Sequence, residues 1–78
     1  MLNWKEQHMH KHSLFFAKSE ECINAEWWIM GNIEGIEDHD VSYDGTVFFF
    51  YTAFALSEQQ QHIIASTVAP LSFLSEEL

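Results

Sequence analysis

The stretch Val41-Ser42-Tyr43-Asp44-Gly45-Thr46-Val47-Phe48-Phe49-Phe50-Tyr51-Thr52 decides how the rest of the chain is read. Asp-Gly supplies the positive backbone dihedrals of a tight hairpin turn, and the β-branched and aromatic residues on either side favour extended backbone. The reading is a hairpin, with Val41-Ser42-Tyr43 entering and a long strand leaving from Val47 to Leu56. Along that strand Val47, Phe49, Tyr51, Ala53 and Ala55 share one face, while Phe48, Phe50, Thr52, Phe54 and Leu56 share the other. Both faces are apolar, a pattern that asks for cover on two sides. One short chain struggles to supply two layers. The expectation is therefore a homodimer or a tight complex with another chain, with Phe48, Phe50 or Phe54 near the contact.

Working outward, Ser57 followed three residues later by Gln60 forms a capping box. Ile63, Ile64 and Val68 then lie near one face, predicting a helix over 58–68 that Pro70 stops. Leu71, Leu74 and Leu78, at i, i+3 and i+7, suggest a final short helix. Residues 19–33 support two readings. Ser19 as a cap, Glu20 and Glu21 in a first turn, and Ile23, Trp27 and Met30 on one face would suit a helix. Trp27-Trp28-Ile29-Met30 is rich in strand formers, however, and an alternation through Ile33 favours a strand from about Ala25 to Ile33. Leu14-Phe15-Phe16 predicts a short strand within 13–18, and Asn3 with Glu6 resembles a capping box for a short helix over 4–12.

Together these elements predict one α+β domain over residues 1–78. A small antiparallel sheet of three to four strands packs with one main C-terminal helix, with room for a short N-terminal helix. At 78 residues the chain suits one domain, and 47% hydrophobic against 19% charged residues argues against intrinsic disorder.

Charge is the strongest compositional signal. Three lysines and no arginine stand against twelve carboxylates, for a formal charge of −9. Lys5, Lys11 and Lys18 all fall early, and Lys18 is the last cation; every acid except Glu6 comes after it. Nucleic-acid binding depends on Lys and Arg neutralising phosphates, so direct binding is disfavoured, as is an anionic membrane surface. A basic protein partner is favoured instead. The longest apolar-rich run, Val47 to Leu56, is too short to span a bilayer, and the N-terminus has no apolar signal-peptide core. With a single cysteine, Cys22, the simplest location is a reducing cytoplasm.

Catalytic chemistry finds little support. Cys22 has no hydrolase signature around it, and Gly31, Gly35 and Gly45 form no phosphate-cradling pattern. His8, His10 and His12 alternate and would share one face of a strand, and Asp38-His39-Asp40 and His62 offer further ligand types. The expectation is nevertheless of no metal, no cofactor and a solvated N-terminal histidine segment.

Glu34, Glu37, Asp38, Asp40 and Asp44 crowd around the hairpin, and Trp28 alternates with Glu26, Asn32 and Glu34 as an aromatic anchor rimmed by acid. These six residues are the expected partner-binding site. The expected function is non-enzymatic: a small acidic module that occludes a basic surface of a partner protein, such as a nucleic-acid-binding surface. Phage-encoded DNA mimics, anti-restriction and anti-CRISPR inhibitors and toxin-immunity proteins work in this way, and the likeness is one of charge, size and aromatic content alone. The alternatives are a metal-binding or metal-sensing module built on the N-terminal histidines, and a structural subunit of a small oligomer.

Overall fold

A computed structural model describes residues 9–78. The elements run β1 (His10–Phe15), α1 (Ser19–Asn32), β2 (Ile36–Val41), β3 (Val47–Thr52), α2 (Glu58–Val68) and β4 (Ser72–Glu77). The four strands form one sheet in the order β2-β3-β1-β4, every neighbour antiparallel. The connectivity is two interlocked βαβ units, the ferredoxin-like arrangement. The α+β class and the antiparallel sheet match the reading of the sequence.

The chain reverses at Asp44-Gly45 as predicted, but through a wider turn than expected: Gly45 alone of the pair takes a positive φ (77°), and Tyr43 lies in the turn, not in the entering strand, which ends at Val41. The Asp44 carboxylate accepts from the Ser42 hydroxyl (2.8 Å), the Thr46 hydroxyl (2.8 Å) and the Thr46 N–H (3.1 Å). Led by the Ser42 bond, these donors hold its pKa below the usual carboxylate range. Helix α2 starts at the predicted capping box: Gln60 N–H donates to Ser57 Oγ (3.0 Å), and Ser57 N–H donates to Gln60 Oε1 (2.9 Å).

Four expectations are corrected. Residues 25–33 are not a strand but the greater part of α1. Cys22, Ala25 and Ile29 are its buried positions, at i, i+3 and i+7, and this face on the core outweighs the local strand preference of the tryptophans. Its cap is Lys18 rather than Ser19, and the Glu21 carboxylate accepts from the Lys18 N–H at 3.3 Å. Residues 72–77 form β4 rather than a helix: β1 leaves one side unpaired by β3, and β4 fills it. The strand from Val47 ends at Thr52, where its hydroxyl turns back to the Phe54 carbonyl (2.6 Å). Finally, residues 10–12 belong to β1 and Met9 precedes it without helical structure; residues 4–8 of the expected N-terminal helix, with His8, lie outside the described residues.

Both helices cover the same face of the sheet. Leu14, Phe48 and Phe50 meet Cys22, Ala25 and Ile29 of α1 and Ile64 of α2 in one buried cluster. Phe48 and Phe50 are therefore fully buried within their own chain, not at a contact with another. Phe54 is exposed in the following loop, its ring lying where a Cβ on Gly35 (φ 84°) would sit. Among the described residues, no helix lies over the second apolar face of β3.

Candidate protein-binding face

Antiparallel pairing puts directly opposed residues on the same face. The registers assemble two rows across the sheet on the side away from the helices: Asp38, Tyr51, Lys11, Glu76, and Asp40, Phe49, Ser13, Leu74. Phe15, between Val47 and Ser72, continues the face. Val47, Phe49 and Tyr51 of β3 and Phe15 of β1 thus occupy the middle strands beside Lys11 and Ser13, while the β2 edge carries Asp38 and Asp40 and the β4 edge carries Glu76 beside Leu74. Lys11, Val47, Phe49 and Tyr51 are half-buried and Ser13 between them is buried, while Phe15, Asp38, Asp40, Leu74 and Glu76 are exposed. The Lys11 ammonium lies 4.6 Å from the centroid of the Phe49 ring, a cation–π contact that places a cation over the aromatic centre of this face.

A register irregularity between Ile36 and Asp38 explains how this edge came to be acidic. The bulge at Glu37 lets Ile36 turn toward the core while Asp38 and Asp40 turn to the uncovered face. The opposite face of β2 carries His39, whose Nδ1 is 3.5 Å from the Glu26 carboxylate of α1.

The six expected site residues do not form one surface. Asp38 and Asp40 lie on the uncovered sheet face, Glu37 occupies the bulge, Glu34 is in the α1–β2 loop, and Asp44 is engaged in the hairpin turn. Trp28 is in the helix layer, half-buried against the core, and lines a shallow recess with Asn24, Thr67 and Val68. The exposed tryptophan is its neighbour: Trp27 is 78% exposed and lines a surface groove of about 450 Å3 with Glu26, Met30 and Gly31. The sequence reading missed Phe49, Tyr51, Phe15 and Leu74 as one surface. Their alternation in β3 was visible, but which alternate face lay uncovered depended on where the helices packed.

The histidines also depart from expectation. His12 is fully buried rather than solvated. The Thr52 hydroxyl gives its hydrogen to the Phe54 carbonyl, so it accepts from His12 Nε2–H at 2.8 Å. Nδ1 is then the acceptor for the Ser75 hydroxyl at 2.7 Å. The ring packs 4.7 Å from that of Phe50. Burial, assisted by the nearby charge of His10, lowers the His12 pKa to about 4. Both ring nitrogens are engaged within the sheet, which removes His12 from any metal-ligand set. Among the described residues no group of three His, Cys, Asp or Glu is placed to hold a metal. Cys22 is buried, and burial, then the charges of Glu26 and Asp44, push its thiol pKa up, away from a reactive thiolate.

No protein-family model matches the chain, and neither does any curated protein or any solved structure. No helix of the described residues is long and apolar enough to cross a membrane.

Proposed function

We propose that the chain is a non-enzymatic binding module that occludes a basic surface of a partner protein in the cytoplasm. The observation that carries the proposal is the sheet face away from the two helices, where Phe15, Phe49 and Tyr51 lie between Asp38 and Asp40 on one edge strand and Leu74 and Glu76 on the other. An apolar centre with a polar rim is the usual anatomy of a protein interface. The sign of the rim, in a chain of net charge −9, selects a partner rich in Lys or Arg. Asp38 and Asp40 each spend Oδ1 on the following backbone N–H, at 2.8 Å in both cases, so each retains a second oxygen for a cation. In this reading the carboxylates take the place of phosphates on a nucleic-acid-binding partner, as in DNA mimics and anti-CRISPR inhibitors. The aromatic centre supplies the desolvated contact.

A binding role is favoured over catalysis because the two chemically capable side chains in the interior are already committed. His12 has both nitrogens hydrogen-bonded, and the Cys22 thiol is held in its protonated form. The same commitment of His12 weighs against the metal-sensing alternative.

The test is affinity capture from host lysate using the wild-type chain, a D38N/D40N variant and a F49A/Y51A variant. The proposal expects a basic protein retained by the wild type, released by raised salt and weakened by both double variants, with its nucleic-acid binding blocked in the complex. A partner retained equally by all three chains, at low and high salt, would refute the assignment of this face.

A further inference from the structure

The sheet has two edges, β2 and β4, and they are treated differently. The Ser42 N–H donates to the Val47 carbonyl at 2.9 Å, which places Asp38, Asp40 and Ser42 in the hydrogen-bonded positions of the hairpin. By alternation the His39 and Val41 N–H groups point outward from the edge. Those same two donors are taken by side chains: His39 N–H by Asp38 Oδ1 and Val41 N–H by Asp40 Oδ1. With the Glu37 bulge beside them, the β2 edge has no donor there for another strand and no flat ladder to offer one.

The β4 edge is the reverse case. The Leu78 N–H donates to the Met9 carbonyl at 2.8 Å, so Ser72, Leu74 and Glu76 pair toward β1, and Phe73 and Ser75 turn their N–H and C=O groups outward. The β1–β4 register runs unbroken through all six residues, and among the described residues β4 pairs with β1 alone. A regular edge with outward donors and acceptors is a template for strand addition.

We infer that this edge pairs with β4 of a second copy, antiparallel about a two-fold axis at Leu74. That register puts outward-turned Phe73 opposite Ser75 of the second copy, so the two exchange both backbone hydrogen bonds. It puts Leu74 against its own counterpart in the closely approaching, non-hydrogen-bonded position on the uncovered face. Glu76 falls opposite Ser72 of the second copy, not opposite another Glu76, so the acidic ends lie at opposite ends of the contact. A parallel pairing would stack the carboxylates. Because β2 is closed by its aspartates, the described residues of each chain offer one usable edge, and assembly stops at a closed dimer instead of growing into a fibre. The two sheets then join, and their uncovered faces run together into one doubled surface.

The dimer stands independently of the basic partner, and salt separates the two. Two chains of like charge associate more tightly when their repulsion is screened, whereas capture of a cation-rich partner weakens. The experiment is sedimentation equilibrium on the full chain at rising concentration, in low and high salt, with amide hydrogen exchange read by NMR. A dimer strengthened by salt is expected, with exchange at Phe73 and Ser75 slowed about tenfold or more on association. L74K, which opposes two like charges on the exposed face, should abolish it. A semisynthetic chain ligated at Cys22 and N-methylated at the Ser75 amide, which keeps the hydroxyl bonded to His12, should do the same. A monomer at high micromolar concentration in both salts would overturn the inference. So would a dimer in which Phe73 and Ser75 exchange as fast as in the dilute chain.

Discussion

Acidification should destabilise the folded chain through His12 by about 2 kcal/mol at pH 5, and by about 3 kcal/mol near pH 4. The folded state holds the imidazole neutral, with its pKa lowered from 6.5 to about 4, because a charged ring would be stranded among Phe50, Thr52 and Ser75. The unfolded chain takes up the proton near the ordinary value. Below that value the unfolded state binds more protons, so stability falls with pH until the folded pKa is reached, and then levels off. Each pKa unit is worth about 1.4 kcal/mol, so the full gap approaches about 3.4 kcal/mol. Against a total stability on the order of 4–12 kcal/mol for a chain of this size, that loss is large. Asp44, whose pKa is lowered by its hydrogen bonds in the turn, adds a loss of the same sign at lower pH. Comparison with H12Q removes this background. Urea unfolding of both chains between pH 7.5 and 4 should give curves that converge toward acid, with wild type losing the extra 2–3 kcal/mol, in round terms. NMR of the imidazole should show the Nε2–H tautomer at neutral pH and no titration near 6.5. Parallel pH profiles for the two chains, or a His12 that titrates near 6.5, would refute the buried neutral histidine.

Ser57→Ala removes one half of the α2 capping box and should cost about 1 kcal/mol in a urea titration, with no change in slope. Cys22 should react with a thiol reagent far more slowly in the native chain than in denaturant at the same pH, since burial both shields the thiol and disfavours its thiolate. Asp44→Ala should speed exchange of the Thr46 amide and loosen the hairpin without unfolding the sheet. The Asp44 contribution should also fade in the wild type as pH falls through its lowered pKa, because the carboxylate is the acceptor for all three turn bonds.

Local chemistry determined a definite part of this protein. Asp44-Gly45 dictates a reversal, because a turn with positive φ needs a residue without a Cβ and a carboxylate beside it can gather the loose donors. Ser57 and Gln60 dictate where α2 begins, because each satisfies the other's backbone N–H. The excess of carboxylates, legible in composition alone, sets the sign of any partner.

What the sequence could not decide was which face, which edge and which core. Trp27-Trp28-Ile29-Met30 favours strand taken alone; it is helical because Cys22, Ala25 and Ile29 then seal Phe48 and Phe50 from water. Leu71, Leu74 and Leu78 share helical spacing, but β1 offered a strand's worth of unpaired backbone, and β4 took it. His12 looked like one of three exposed imidazoles until β1 became a central strand and brought it between Thr52 and Ser75, residues forty and sixty-three positions away. The acidic cluster divided in the same way. A bulge of one residue at Glu37 decided that Asp38 and Asp40 would rim the uncovered face and not point into the core. Side-chain direction on a strand has a period of two, so a single inserted residue reverses it, and pairing across the sheet reveals where that insertion falls.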